Sequence, residues 1–538
     1  MGYQLMKTTA ILLCSLPFAM FAQTKLIKLG WDSPDAAFLR KNAGMVEKAL
    51  PFDGIAISLP RKVKDGKPDV EYGHLVFKNE RIDPAIIKAW QKDLQEAKLE
   101  KLKHNFVKIS CANADYSFFD DQAWNTVVKN LELVSEAAGK GGLKGICFDV
   151  EHYNYGKPAL FQYLPASGKS YAETAAKARQ RGAEVMRAMS RDFPDIIVFT
   201  ILGSFSINYP ALNSADPEKY LANAQYGLTT AFFNGMLDAI PPRAKLFDGD
   251  ETAGYTASNA EEFFQISKNF MKKAPLLVAP ENRVKFQTQC QPAIGVFLDC
   301  YLNEKGFWVI KSPDMERLPL FRRNLRLALE CSGDYAWLYT EQCRWHPIEL
   351  PPVVEKAMKN TVGGGRLWEE AMPGVSEAVR FARNPDQFAA GDKHMLIYSN
   401  DFAKGLGDIQ QWQGGTVKGV IEQKDGTARL AGVRYGSLFK AIKVNPGEVY
   451  LVRASAKTEG DGQSSLTVTW QDDKRNFIKS ADNIKLAFSE KRPDQWFGAS
   501  KVVIVPDKVA FMVVQYCAAS ATGNAVVCFD NLETDKIF

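Results

Sequence analysis

The sequence predicts an α/β protein: a (β/α)8 TIM barrel over residues 23–351, then a linker with local helix at 352–394, then an antiparallel β-sandwich, or jelly roll, at 395–538. Three observations predict it. Short apolar segments alternate with amphipathic stretches at intervals of roughly 40 residues, the spacing of a βα repeat. One of those segments, Lys144-Gly145-Ile146-Cys147-Phe148-Asp149-Val150-Glu151, sends Ile146, Phe148 and Val150 to one face and Cys147, Asp149 and Glu151 to the other. Beyond residue 395 the character changes to short alternating segments such as Ser465–Trp470 and Lys501–Val505, separated by Gly, Asp, Asn and Pro.

Residues 1–22 precede the fold. Lys7 is their only charge, and Ala10–Ala22 is an apolar run followed by Gln23, the layout of a secretory signal peptide cleaved near Ala22. The run is too short to span a bilayer and contains Pro17, so export to the periplasm or medium is expected, without a membrane span. Cys14 follows Ile11-Leu12-Leu13, which lack the small residues a lipoprotein site prefers.

The eight barrel strands are Leu26–Trp31, Asp53–Leu59, Asn105–Ser110, Gly145–Glu151, Ile196–Leu202, Lys245–Asp250, Ala293–Asp299 and Tyr335–Thr340. Between them, Ser170-x-x-Glu173 and Ser258-x-x-Glu261 have capping-box spacing, in which hydroxyl and carboxylate satisfy free amides at a helix start. The first strand is not followed by a Gly-rich phosphate loop, which argues against an open doubly wound sheet.

Charge and cysteine content narrow the function. The chain carries 67 basic and 62 acidic residues with no concentrated basic block, so nucleic acid and membrane surfaces are not expected partners. Five histidines without an H-x-H or H-E-x-x-H cluster give no catalytic transition-metal site, which disfavours a metal hydrolase or barrel lyase. Export permits disulfides. Cys517 and Cys528 flank a turn at Gly523-Asn524, and Cys331 and Cys343 flank a strand, although spacing alone sets no connectivity.

A barrel gathers its strand ends at one mouth, so acids distant in sequence count as one site. Carboxylates end five of the eight strands: Asp32, Asp149 with Glu151, Asp248 with Asp250 and Glu251, Asp299, and Glu341. Each singly reads as a helix cap, and Asp149 equally as a buried hydrogen-bonding residue. Together, with Trp31, Tyr153, Tyr155, Tyr339 and Trp345 beside them, they match what glycosidic bond cleavage needs: one acid to protonate the leaving oxygen, a second carboxylate as nucleophile or base, and aromatic faces for sugar rings. Glu151 is the expected general acid and Glu341 the nucleophile or base, with Glu251 its rival. Asp149 would orient them. Trp31, Asp32, Tyr153, Asp248, Asp299, Tyr339 and Trp345 would bind substrate, with Asp32 at the rim. Trp337, Phe297 and Trp470 read as core, whereas Trp412 and Trp496 carry no assignment.

These motifs also carry resemblances. Asp149-Val150-Glu151 is similar to the end of the D-x-x-D-x-D-x-E strand of chitinase-like family 18 glycoside hydrolases, departing from it at Lys144 and Cys147. Gly30-Trp31-Asp32, Phe148-Asp149-x-Glu151 and Tyr339-Thr340-Glu341 look like a set of little-characterised exported bacterial barrels. Leu396–Phe402, Val444–Tyr450 and Cys528–Leu532 resemble jelly-roll carbohydrate-binding modules, which implies a glycan partner and a structural calcium held by Asp401 and Asp530. The reading that emerges is a secreted glycoside hydrolase acting on a poly- or oligosaccharide. The alternative is a non-catalytic glycan-binding protein using mouth and sandwich for recognition.

Overall fold

The computed structural model describes residues 23–64, 67–153, 156–313, 315–385, 394–416, 418–479, 481, 483–521 and 523–537. The expected signal peptide, Tyr155 and residues 386–393 of the expected linker lie outside them. Nine strands form one parallel sheet: β1 (Lys25–Gly30), β2 (Gly54–Ile57), β3 (Phe106–Ser110), β4 (Gly145–Asp149), β5 (Ile197–Thr200), β6 (Lys245–Asp248), β7 (Cys290–Pro292), β8 (Gly295–Phe297) and β9 (Tyr335–Thr340). Their order is β8-β9-β1-β2-β3-β4-β5-β6-β7, with helices intervening in sequence. All eight expected strands are present. The seventh is divided: β7 pairs with β6 and β8 with β9, and only Ala293 and Ile294 separate them. Pro292 has no N–H to continue the ladder. The next residue takes it up, with Ala293 N–H donating to Asp248 O at 2.8 Å and Trp337 N–H to Ile294 O at 3.2 Å.

The sheet is strongly curled. Phe247 on β6 meets the ring of Tyr335 on β9 at 5.2 Å, although six strand steps separate them along the sheet, about 29 Å if flat at ~4.8 Å per step. Phe106 on β3 and Phe199 on β5 complete this aromatic layer, at 5.5 Å from Tyr335 and 6.2 Å from Trp337 respectively. Trp337 fits because position 295 is glycine: a Cβ there would lie 2.4 Å from the indole. Trp337 is fully buried and Phe297 nearly so, in agreement with their core reading.

Helix starts follow local chemistry. Ser170 and Glu173 form the complete capping box. At the second site the expectation is off by one residue: Asn259 is the cap, accepting from Glu262 N–H at 3.1 Å, while Ser258 N–H and Oγ both donate to the Glu262 carboxylate. Asn259 competes well for that position because its short amide accepts from the free amides of the first turn.

The expected linker packs with the first domain. Helices Pro352–Lys359, Trp368–Ala371 and Val375–Arg383 occupy it, and Trp368, Val375, Ala378, Val379 and Ala382 join the core of the first domain. Arg383 also forms an ion pair with Asp53.

Residues 394–537 form two antiparallel sheets over one core, in which Phe529 of one sheet meets Tyr516 of the other at 6.1 Å. Trp470 is buried there beside Leu466 and Val468, as its strand face requires. The outer face of the seven-stranded sheet docks on the first domain: Phe381 packs among Val449, Leu451, Val502 and Ile537, and Arg323 pairs with Asp507. No described helix is long and apolar enough to cross a membrane.

Candidate active site

Glu151, Glu251 and Glu341 come together at the carboxyl ends of β4, β6 and β9. Asp149 is buried at the end of β4, where its Oδ1 accepts from Glu151 N–H at 2.9 Å. The Tyr153 hydroxyl lies 3.0 Å from Asp149 Oδ2 and donates to Glu151 Oε2 at 2.7 Å, so one phenol bridges the two carboxylates. Tyr153 is 44% exposed, which places this bridge at the open side. Glu341 Oε1 accepts from the Tyr339 hydroxyl at 2.8 Å, and the Trp31 indole hydrogen-bonds the same carboxylate. Tyr255 stacks on Tyr339 at 5.9 Å, and the charges of Glu251 and Glu341 both act on it.

Electrostatics separates the three glutamates. Burial raises all of them, because a charged carboxylate loses hydration in the mouth. Glu151 is raised further by the charges of Asp149 and Glu341. Glu251 reaches about 8, through burial and then the charges of Glu151 and Asp149. For Glu341 the remaining influences all favour the ionised form: the Tyr339 and Trp31 hydrogen bonds and the charge of Lys108.

Lys108, Glu71 and Tyr255 belong to this neighbourhood and are absent from the sequence-based assignment. Lys108 lies on the β3 face of Phe106 and Ser110, and its charge acts on Glu71, Asp149, Glu151, Glu251 and Glu341 alike. Glu71 is buried at the end of the hairpin Arg61–Lys64/Lys67–Glu71 inserted after β2, with the Ser58 hydroxyl donating to it at 3.2 Å. A lone lysine inside an apolar strand was the available signal for Lys108. Glu71 sits in an insertion without periodicity.

Four residues expected to bind substrate have other employment. Asp248 is buried and accepts from Ser204 Oγ, Phe205 N–H, Ser206 N–H and Oγ, and Asp250 N–H, at 2.6–3.2 Å; five protein donors fill its acceptor sites and tie the loop after β5 to the end of β6. Asp299 is fully buried, and its Oδ2 accepts from Glu341 N–H and Gln342 N–H, each at 3.1 Å, so it positions the turn carrying Glu341. Asp32 is not at the rim: it is fully buried, paired with Lys28, and accepts from Trp345 N–H at 2.9 Å. The Trp345 ring is buried against Phe52 and Trp368. Trp31 and Tyr339 remain with the acids. Cys147 is a buried thiol pushed up by burial.

The second domain offers a different surface. The outer face of its five-stranded sheet holds a cavity of about 660 Å³ lined by Gln410, Trp412, Phe439, Gln471, Phe477 and Gln515, with Arg475 beside them. Trp412 is 49% and Phe477 60% exposed. Asp401 and Asp530 lie close enough for Asp401 to add to the burial that raises Asp530. Each also accepts a backbone N–H, from Ala403 and Asn531. No group of three or more His, Cys, Asp or Glu suited to a metal occurs among the described residues. The described cysteines are all free. The expected Cys517–Cys528 hairpin is not formed: Cys517 pairs across to Ser437 and Ser465 in one sheet, and Cys528 to Arg429 and Lys457 in the other.

Fold and site together define a class, an α/β domain with a curled parallel sheet and an acidic, aromatic mouth, followed by a domain of two antiparallel sheets. No protein-family model matches the chain, and no curated protein matches it. Neither comparison supports the family 18 likeness of the β4 strand. Among solved structures, a glucosidase from Croceicoccus marinus is similar over 93% of this chain and 96% of its own, at 11% identity and a TM-score of 0.37. A C-terminal family 22 carbohydrate-binding module from Clostridium thermocellum is similar over 27% of this chain and 98% of its own, at 15% identity and a TM-score of 0.21. The enzymatically active domain of bacteriophage CBA120 tailspike protein 4 matches over 26% of this chain and 20% of its own, at 14% identity and a TM-score of 0.22. Likeness at this level carries no functional conclusion.

Proposed function

We propose that the protein is an exported glycoside hydrolase of a poly- or oligosaccharide, with its reaction at the mouth formed by β4, β6 and β9. The observation that carries this reading is the electrostatic union of the acids: Asp149 and Glu341 act on Glu151, and Glu151 and Asp149 act on Glu251. We also infer that the curled sheet closes into a (β/α)8 barrel. Support comes from the run 290–297, hydrogen-bonded to β6 at one end and β9 at the other, and from the aromatic layer spanning the curl.

In this reading Glu151 protonates the glycosidic oxygen as its bond to the anomeric carbon breaks. Glu341 either attacks that carbon or takes a proton from the attacking water. At Glu151 the charges of Asp149 and Glu341 favour the protonated form against the Tyr153 hydrogen bond and Lys108, whereas the neighbours of Glu341 all favour its ionised form. Glu251, protonated to about pH 8, fits a proton donor better than the base role expected from sequence. Trp31, Tyr153 and Tyr339 supply donors and ring faces for the sugar.

The exposed rings and amides of the sandwich cavity favour a second role, glycan retention, and would suffice for a protein that binds without cleaving. Screening the purified protein against a glycan panel decides between them. Cleavage abolished by Glu151→Gln and Glu341→Gln supports the hydrolase; retention of several glycans with cleavage of none supports the binding protein.

A further inference from the structure

The strands of β3 and β4 run in register, Lys108 opposite Cys147 and Ser110 opposite Asp149. Phe106, on the same face as Lys108, meets Phe199 and Tyr335 across the curl, so this is the concave face and Lys108 stands just beneath the acids. The turn after the hairpin, Tyr72–Leu75, lies against the β3 backbone at this point: a Cβ on Gly73 would lie 2.6 Å from Lys108 O. Lys108 forms no ion pair within 4 Å among the described residues. It therefore belongs to no single carboxylate.

Given the hydrolase reading, on which this rests, we propose that Lys108 is a positioning residue, a shared counter-charge that keeps Asp149 and Glu341 ionised while Glu151 or Glu251 holds the proton. The groups facing it are Glu71 and His74 from the hairpin side, Cys147, Asp149 and Glu151 from β4, Glu251 from β6, Glu341 from β9, and Lys28 from β1. Its charge favours the ionised form of all five carboxylates. The same charge disfavours a proton on Lys28 and His74, and burial drives His74 down to about 4. Arg61 adds its charge at Glu71 and His74.

The sign of the test follows from linkage. A carboxyl whose pKa is raised by folding binds more protons folded than unfolded, so stability is lost as pH rises from the unfolded value to the folded one. Lys108 restrains that rise, and Lys108→Met releases it. The melting temperature of Lys108→Met should match wild type near pH 5 and fall progressively below it as pH rises, the Glu251 contribution opening only above about 8, a value that Lys108 already holds down. Lys108→Arg should track wild type throughout. A deficit equal at every pH, shared by both variants, marks a packing role and overturns the proposal.

If Lys108→Met does not fold at neutral pH, adding Glu341→Gln, which removes a charge left without its counter-charge, should restore folding, and failure to restore it also overturns the proposal. With a cleaved glycan in hand, Lys108→Met should move both limbs of the kcat/KM profile upward by about one pH unit or more. An unmoved profile counts against the proposal. Because melting needs no substrate, a protein that cleaves nothing removes the hydrolase reading while the charge comparison still stands or falls by itself.

Discussion

The mouth of the first domain and the cavity of the second use aromatic residues in opposite ways. At the mouth, Tyr153 and Tyr339 turn their hydroxyls to Glu151 and Glu341, and both glutamates are shifted by burial. At the sandwich, Trp412 and Phe477 expose their rings beside three glutamine amides, which hold no charge to shift. The first arrangement costs stability and places protons, as chemistry requires; the second only offers a surface on which a ligand can lie.

The largest expected effect sharpens that contrast. Glu151→Gln or Glu341→Gln should lower kcat by about 10²–10⁴-fold on a cleaved oligosaccharide, the range for loss of a general acid or base. Trp412→Ala should leave that kcat unchanged. Initial rates on one short substrate compare the three, and a loss of kcat in the tryptophan variant would break the division of labour.

Stability comes next. Trp337 fills the centre of the curl against Phe199 and Tyr255, and Trp337→Ala should cost about 3–5 kcal/mol by denaturant melting. If cooperative unfolding of the sandwich persists at its wild-type midpoint, the two domains unfold separately. Their contact at Phe381 and the Arg323–Asp507 pair predicts instead some shared loss.

How much of this was legible follows the same contrast. Strands rich in period-2 apolar residues announced themselves, and so did Asp149, Glu151 and Glu341, because acids at the ends of such strands stand out. The division of the seventh strand did not, since Pro292 interrupts a ladder only when its neighbours are known. Val375, Ala378, Val379 and Ala382 make a helical stripe, but Gly363-Gly364-Gly365 just before it reads as a connection. Asp248, Asp299 and Asp32 look like Glu341 in sequence. Only their donors, five in the case of Asp248, reveal that they hold the scaffold.

A smaller effect tests the cavity directly. Trp412→Ala and Phe477→Ala should each weaken retention of a bound glycan about two- to tenfold, the worth of one aromatic face at 0.5–1.5 kcal/mol. Affinity electrophoresis through polysaccharide gels reads this, and unchanged mobility in both variants would leave the cavity without its assigned role.

The smallest expected effect concerns Asp401 and Asp530, the pair proposed for structural calcium. Asn400 is in register with Leu532 where the strands His394–Asn400 and Val526–Ile537 meet, which brings the two carboxyls together. Without a cation, burial and the charge of Asp401 both work against an ionised Asp530, so Asp530→Asn should be neutral or slightly stabilising in chelator, by at most about 1 kcal/mol for so exposed a pair. A calcium ion reverses the sign, since it binds two carboxylates better than one and stabilises only the folded state. Wild type should then gain melting temperature on adding calcium, and Asp530→Asn should gain less. Identical responses to calcium in the two proteins remove the ion from this site and leave the carboxyl pair as an uncompensated repulsion.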